Sequence, residues 1–153
     1  MNSPFKPELL HFIDYRIVKI NIHDLLEQNM DIDSYYDVSN SISLGFNVEK
    51  NIVKSDLEIS IKKLNSNDDS LISEANVLIT YLILVENFDL LHKLSNNDEL
   101  EIDKMLTDSI SAIVYSTTRG ILLDKLKDSS FENFILPIID IKKDLANNSE
   151  NNL

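Results

Sequence analysis

Between Asp98 and Lys127 the sequence sustains a helical repeat longer than any other in the chain, and a helix of that length needs a surface to lie on. Ile102, Met105, Leu106, Ile110, Ile113, Val114, Thr117 and Ile121 recur at helical steps and form one apolar stripe. Ala112, Tyr115, Leu122 and Leu126 form a second. Asp98, with Glu101 three residues on, is an aspartate version of the capping box, which satisfies free amide donors where a helix begins. Lys125 and Lys127 suit the negative end of the helix dipole at the other terminus. A helix apolar on two sides has to be covered on two sides, and a chain of this size has little material for that alone. The pattern therefore predicts self-association.

The chain has 153 residues, which suits a single domain, expected over residues 1–146, with a polar, asparagine-rich tail over 147–153. Hydrophobic residues make up 43% and charged residues 26%, a balance that suits a folded, water-facing protein. The formal charge of −12 repels phosphate backbones, which argues against nucleic acid as a partner and suits either plain solubility or a basic partner. Cysteine is absent, so disulfides, thiolate nucleophiles and zinc–thiolate sites are excluded. The start of the chain has no apolar core of signal-peptide length, and no apolar run approaches the ~20 residues of a spanning helix. The cytoplasm is the expected compartment, with no membrane insertion.

Ahead of the helix the pattern is that of strands. Phe12 to Ile22 places Ile13, Tyr15 and Ile17 on one face and then slips to Val18, Ile20 and Ile22, which calls for a bulge or for burial on both faces. Asp24 to Ser41 reads as a connector that nevertheless carries Leu25, Leu26, Met30, Tyr35 and Tyr36. Ile42, Leu44, Phe46 and Val48 alternate with polar residues, and Leu57, Ile59 and Ile61 do the same, with a hairpin-length break between the two runs. Val77 to Val85 is almost wholly apolar and β-branched, as in a strand buried on both faces. Four strands followed by a helix is the order of an α+β domain, and a meander is the simplest pairing of the last three strands. Asn133 to Pro137 reads as extended, and Asp140 caps a short helix through Leu145.

Signals for catalysis or metal binding are missing. His11, His23 and His92 have no partners at ligand spacing. Asp31, Asp33 and Asp37 fall short of a calcium loop, since Tyr36 and Ile42 stand where that loop needs glycine and glutamate. Ser116-Thr117-Thr118 has no activating histidine or cysteine nearby, and small residues there suit a closely approaching helix. Gly45 and Gly120 are too few for a phosphate-binding loop. The chain reads as a non-enzyme without a cofactor.

Two segments, Ser116-Thr117-Thr118-Arg119-Gly120-Ile121-Leu122 and Phe134-Ile135-Leu136-Pro137-Ile138-Ile139-Asp140, resemble the C-terminal half of SecB-type protein-export chaperones. That family has an Arg-Gly pair late in its long helix and then an apolar-Pro segment leading to a final short helix. Phe12 and Arg16 on the opening strand and the order of elements agree with it over roughly residues 12–145. The resemblance implies an α+β fold, with a four-stranded antiparallel sheet packed on one long helix plus a short C-terminal helix. It also implies a homotetramer built as a dimer of dimers, in which the long helices meet through Ile102, Leu106, Ile110, Ile113 and Thr117.

The implied function is that of a holdase for unfolded polypeptides, either preproteins for export or an antitoxin. The client groove then falls on Leu25, Leu26, Met30, Tyr35, Tyr36, Ile138, Ile139, Ile141 and Leu145. Docking of the SecA motor falls on Asp68, Asp69 and Glu74, because the first-strand positions where the family carries acids are near Asn21 and Leu25 here, with Asp24 only adjacent. The competing class is a structural or adaptor protein that keeps the fold without binding clients.

Overall fold

A computed structural model of the chain describes residues 3–25 and 32–140. Four long strands, β1 (Leu10–Asp24), β2 (Ser34–Asn47), β3 (Ile52–Asn65) and β4 (Leu71–Val85), form an antiparallel sheet in the order β1-β4-β3-β2. Two three-residue strands, β5 (His92–Leu94) and β6 (Leu100–Ile102), form a separate hairpin before the helix α1 (Lys104–Lys125). The fold is thus α+β, and the short C-terminal helix expected from Asp140 lies almost entirely outside the described residues.

Alternation decides which face of the sheet meets the helix. On β3, Val53, Ser55, Leu57, Ile59 and Ile61 are buried while Lys54, Glu58 and Lys62 face water. On β4, Ala75, Val77, Ile79, Tyr81, Ile83 and Val85 are sealed, whereas Leu78, Leu82 and Leu84 on the other face stay half-buried. The near-continuous apolar run of β4 therefore reflects its central place, hydrogen-bonded to β1 and β3, and only one of its faces is sealed. The slip in β1 is a pair of bulges. Its register against β4 shifts between Phe12 and Asp14 and again between Ile17 and Lys19, leaving Ile13 and Val18 as the extra residues. Phe12, Tyr15, Ile17, Ile20 and Ile22 consequently pair with the inward residues of β4, a different set from the one simple alternation suggests.

Two boundaries differ from expectation. β2 starts at Ser34, so Tyr35 and Tyr36 stand on a strand and not in a connector. The helix starts at Lys104, and Asp98 is not its cap. Asp98 sits in the β5–β6 turn with φ of 59°, a left-handed conformation that aspartate tolerates better than most residues. Ile102, which fitted the helical repeat, lies on β6 with Leu100. The cap is Asp103, whose Oδ1 accepts from the amides of Met105 (2.9 Å) and Leu106 (3.3 Å), while its Oδ2 accepts from Ser3 Oγ at 3.0 Å.

The two expected stripes merge into one seam. Leu106, Ile110, Ser111, Val114, Tyr115, Thr118 and Leu122 are buried, and Ile113, Thr117 and Ile121 are only half-buried. Tyr81 and Thr118 share a hydroxyl–hydroxyl hydrogen bond of 2.5 Å between sheet and helix. Phe131, Phe134 and Leu136 of the following segment complete the core, and Tyr115 Oη donates to the Pro137 carbonyl at 2.8 Å.

Replacing Asp103 with Ala should lower stability by about 1 kcal/mol, whereas Asp98→Gly, which keeps the left-handed turn conformation accessible, should stay within about 0.5 kcal/mol. Urea melts of both variants check this, and the reverse order would put the helix start back at Asp98.

Candidate functional site

An α-helix with its side chains is about 10 Å wide, and strands lie about 4.8 Å apart, so one helix roofs two strands of four. Here α1 lies over the β3–β4 centre, and the inward faces of the edge strands β1 and β2 are left partly open.

On β2 the inward residues Tyr36, Val38, Ile42, Leu44 and Phe46 are half-buried against the core. Aromatic groups close both ends of this row. Tyr36 meets Phe134 edge-on at 5.1 Å and Phe131 at 6.1 Å, and Phe46 stacks on Phe88 at 6.1 Å. Burial, and then the nearby Glu132 carboxylate, raise the Tyr36 hydroxyl above the usual phenol value. Among the described residues β3 is the one strand paired with β2, so β2 forms an edge of the sheet. The result is an apolar trough bordered by a strand edge. On β1, Phe12 and Tyr15 lean on Tyr81 at 5.8 and 6.2 Å and are still 48% and 52% exposed.

The residues expected to form a client groove are only partly gathered. Tyr36 lies in the trough. Tyr35 points to the opposite face, where its hydroxyl donates to Asp69 Oδ1 at 2.8 Å, a bond that raises its own pKa. Leu25 is exposed at the end of β1, its amide bonded to Ile72 O, and the strand order puts two strands between it and Tyr35. Ile139 packs against the core and Ile138 is 82% exposed. Leu26, Met30, Ile141 and Leu145 lie outside the described residues. The sequence reading missed Val38, Ile42, Leu44, Phe46, Phe131 and Phe134 as parts of one surface. Extending the alternation of Ile42–Val48 back through Val38 to Tyr36 would have found the four on β2.

Among the residues assigned to helix–helix contact, Leu106 and Ile110 are fully buried against this chain's own sheet, and Ile102 is on β6. Ile113 and Thr117 keep a partly open face. Of the three candidate docking acids, Asp68 accepts from the Ser70 hydroxyl (2.7 Å) and amide (3.0 Å), which hold its carboxyl below the usual range. Asp69 receives the Tyr35 hydroxyl, and Glu74 stands in register between His23 and Lys62 on the outer face of the sheet.

No protein-family model matches the chain, and no curated protein sequence matches it. Its fold is similar to that of the SecB-like chaperone Rv1957 of Mycobacterium tuberculosis, solved in complex with a ChAD peptide from the Rv1956 HigA1 antitoxin. The TM-score is 0.63 at 10% sequence identity, over 87% of this chain and 92% of that one. At such identity the likeness is one of fold. Among the described residues no helix is long and apolar enough to cross a membrane.

Asp56, on the outer face, gives a pH prediction. Burial opposes its ionisation, but the Thr80 hydroxyl (2.5 Å) and Lys54 (3.0 Å) outweigh it, and the net shift is downward from 3.8. A carboxylate with a depressed folded pKa contributes stability above the unfolded value and loses it as pH falls through the folded one. Asp56→Asn should therefore cost about 1 kcal/mol at neutral pH and progressively less in acid below pH 3.8. Thermal melts of both proteins from neutral to acid pH check the convergence.

Proposed function

We propose that this protein is a non-enzymatic SecB-like holdase of the cytoplasm, with an antitoxin segment as its client. It holds an extended chain by burying apolar side chains in the β2 trough, at about 25 cal/mol per Å² of apolar surface, and many weak contacts add through avidity. The observation that carries this reading is the half-open apolar row Tyr36–Phe46 beside a free strand edge, in a fold similar to a chaperone solved with an antitoxin peptide. A free edge accepts main-chain hydrogen bonds from any sequence, and alternate side chains then fall into the trough. Asp68 is engaged by Ser70 within its own turn and Asp69 by Tyr35 of β2, and this speaks against export through the SecA motor.

The working form we propose is a dimer of dimers joined through the open side of α1. Ala112, Ser116 and Gly120 recur there at four-residue steps, and Arg119 is the one charged residue from Ser109 to Leu123. A Cβ added at Gly120 meets nothing within 4 Å, so no contact within the described chain calls for glycine. Glycine inside a helix costs about 1 kcal/mol relative to alanine, and close approach of a second helix accounts for keeping it.

The function is tested by suppression of aggregation of a denatured model protein and by protection of an antitoxin peptide from protease. Tyr36→Ser/Val38→Ser should lose most of both while remaining folded by circular dichroism. Wild-type protein inactive in both assays ends the holdase reading, and protection of preproteins but not antitoxins moves the client to export. For assembly, sedimentation should show wild type larger than a monomer. Gly120→Leu should dissociate it, and a monomeric wild type removes the helix-mediated assembly.

A further inference from the structure

Between β4 and α1 the chain makes a detour that a four-stranded sheet and a helix do not require, and the detour is firmly built. His92 Nδ1 donates to the Phe88 carbonyl at 2.7 Å, and its ring lies 5.1 Å from the fully buried Phe88. The Asp103 amide donates to Leu91 O at 2.8 Å, and Lys93 pairs with Glu101 at 2.9 Å across the hairpin. At the turn, Ser95 Oγ accepts from the amides of Asn97 and Glu99, and the Ser95 amide donates to Glu99 O at 2.8 Å.

This rigid device holds apolar side chains out in water. Leu94 and Leu100 are cross-strand partners, 67% and 40% exposed, and Leu90 is 62% exposed. A cavity of about 300 Å³ lies beside the hairpin, lined by Leu90, Leu91, His92, Lys93, Glu101, Ile102 and Asp103. A cross-strand leucine pair supports so short a hairpin only modestly, and an exposed apolar patch rimmed by charge marks a contact surface. The rim is mostly acidic. Residues 86–108 carry seven carboxylates against two lysines, and Lys93 and Glu101 neutralise each other as a pair. The outer face of the sheet is mixed by comparison, with Asp14, Asp37, Asp56, Glu58 and Glu74 interspersed among Arg16, Lys19, Lys54 and Lys62.

We infer that the β5–β6 end of the molecule docks a cationic amphipathic segment of another polypeptide. Its apolar side chains cover Leu94, Leu100 and Leu90, and its lysines or arginines lie among Asp89, Asp98 and Glu99. A second copy of this chain would set carboxylates against carboxylates, and nucleic acid or an anionic membrane is repelled by the same field. The surface is separate from the β2 trough and does not depend on holdase activity.

The test uses the full chain and a short fluorescent peptide of leucines and lysines in helical repeat, titrated by anisotropy at low and moderate salt. Wild type should bind it, less tightly as salt rises. Leu94→Ser/Leu100→Ser should bind roughly tenfold more weakly, equivalent to 1.4 kcal/mol, with an unchanged melting temperature and unchanged protection of denatured protein. Asp98→Asn/Glu99→Gln should weaken binding and flatten its salt dependence. The same peptide with glutamate for lysine should not bind. Equal affinity for wild type and the leucine variant overturns the proposal, as does loss of binding in Tyr36→Ser, which would place the peptide in the trough.

Discussion

The structure depends on the burial of one helix seam against the two central strands. Leu106, Ile110, Val114 and Leu122 lie on α1, and Val77, Ile79, Tyr81 and Ile83 on β4; all are essentially removed from water. At about 1.5–3 kcal/mol for each fully buried large side chain, this layer dominates the favourable side of folding. The Tyr81–Thr118 bond adds position more than energy, because a hydroxyl pair in an apolar layer is satisfied in one registration of helix on sheet and left wanting in the others. Once that registration is set, the width of a helix against the width of a four-stranded sheet dictates that both edges stay partly open.

That geometric shortfall leaves an open apolar surface where core packing would otherwise be. A second helix over that flank would have sealed Tyr36, Val38, Ile42 and Leu44 as ordinary core, and none is present among the described residues. Instead they alternate on an edge strand whose polar face reads Tyr35, Asp37, Ser39, Ser41 and Ser43. Polar side chains on one face of an edge strand guard against wholesale sheet stacking, while the apolar face stays available to one extended segment at a time. The β1 edge is treated differently. Two bulges twist it and interrupt its ladder, a device that blunts an edge against uncontrolled pairing while Phe12 and Tyr15 remain exposed.

Much of this was legible in the sequence, and the failures share a cause. Strict alternation in Ile42–Val48 and Leu57–Ile61 located β2 and β3, because a half-buried strand writes its two faces directly into the residue order. The helix start was misplaced because Asp98 and Asp103 are both aspartates two residues ahead of an apolar one, and Ile102 fits both a short strand with Leu100 and the helical steps to Met105 and Leu106. Local chemistry could not separate a turn aspartate at positive φ from a capping one. Tyr36 was placed in a connector because Asn40 interrupts the apolar row that would have marked the strand. Its contact with Phe134 joins distant parts of the chain, and no periodicity reports such a pairing.

The likeness to the mycobacterial structure at 10% identity follows from the same physics. A sheet with one apolar face and a helix with one apolar seam ask for residue classes at given periods, and volume-conserving exchanges are tolerated throughout. What such a fold leaves free to change is everything the periodicity does not fix: the loops, the hairpin before the helix and the distribution of charge. In this chain seven of the 26 acids fall between residues 86 and 108, around the exposed leucines of the β5–β6 end, and the outer face of the sheet is mixed in sign. The layer that holds the molecule together and the surfaces that would select its partners are therefore built from different residues. Substitutions in one need not disturb the other.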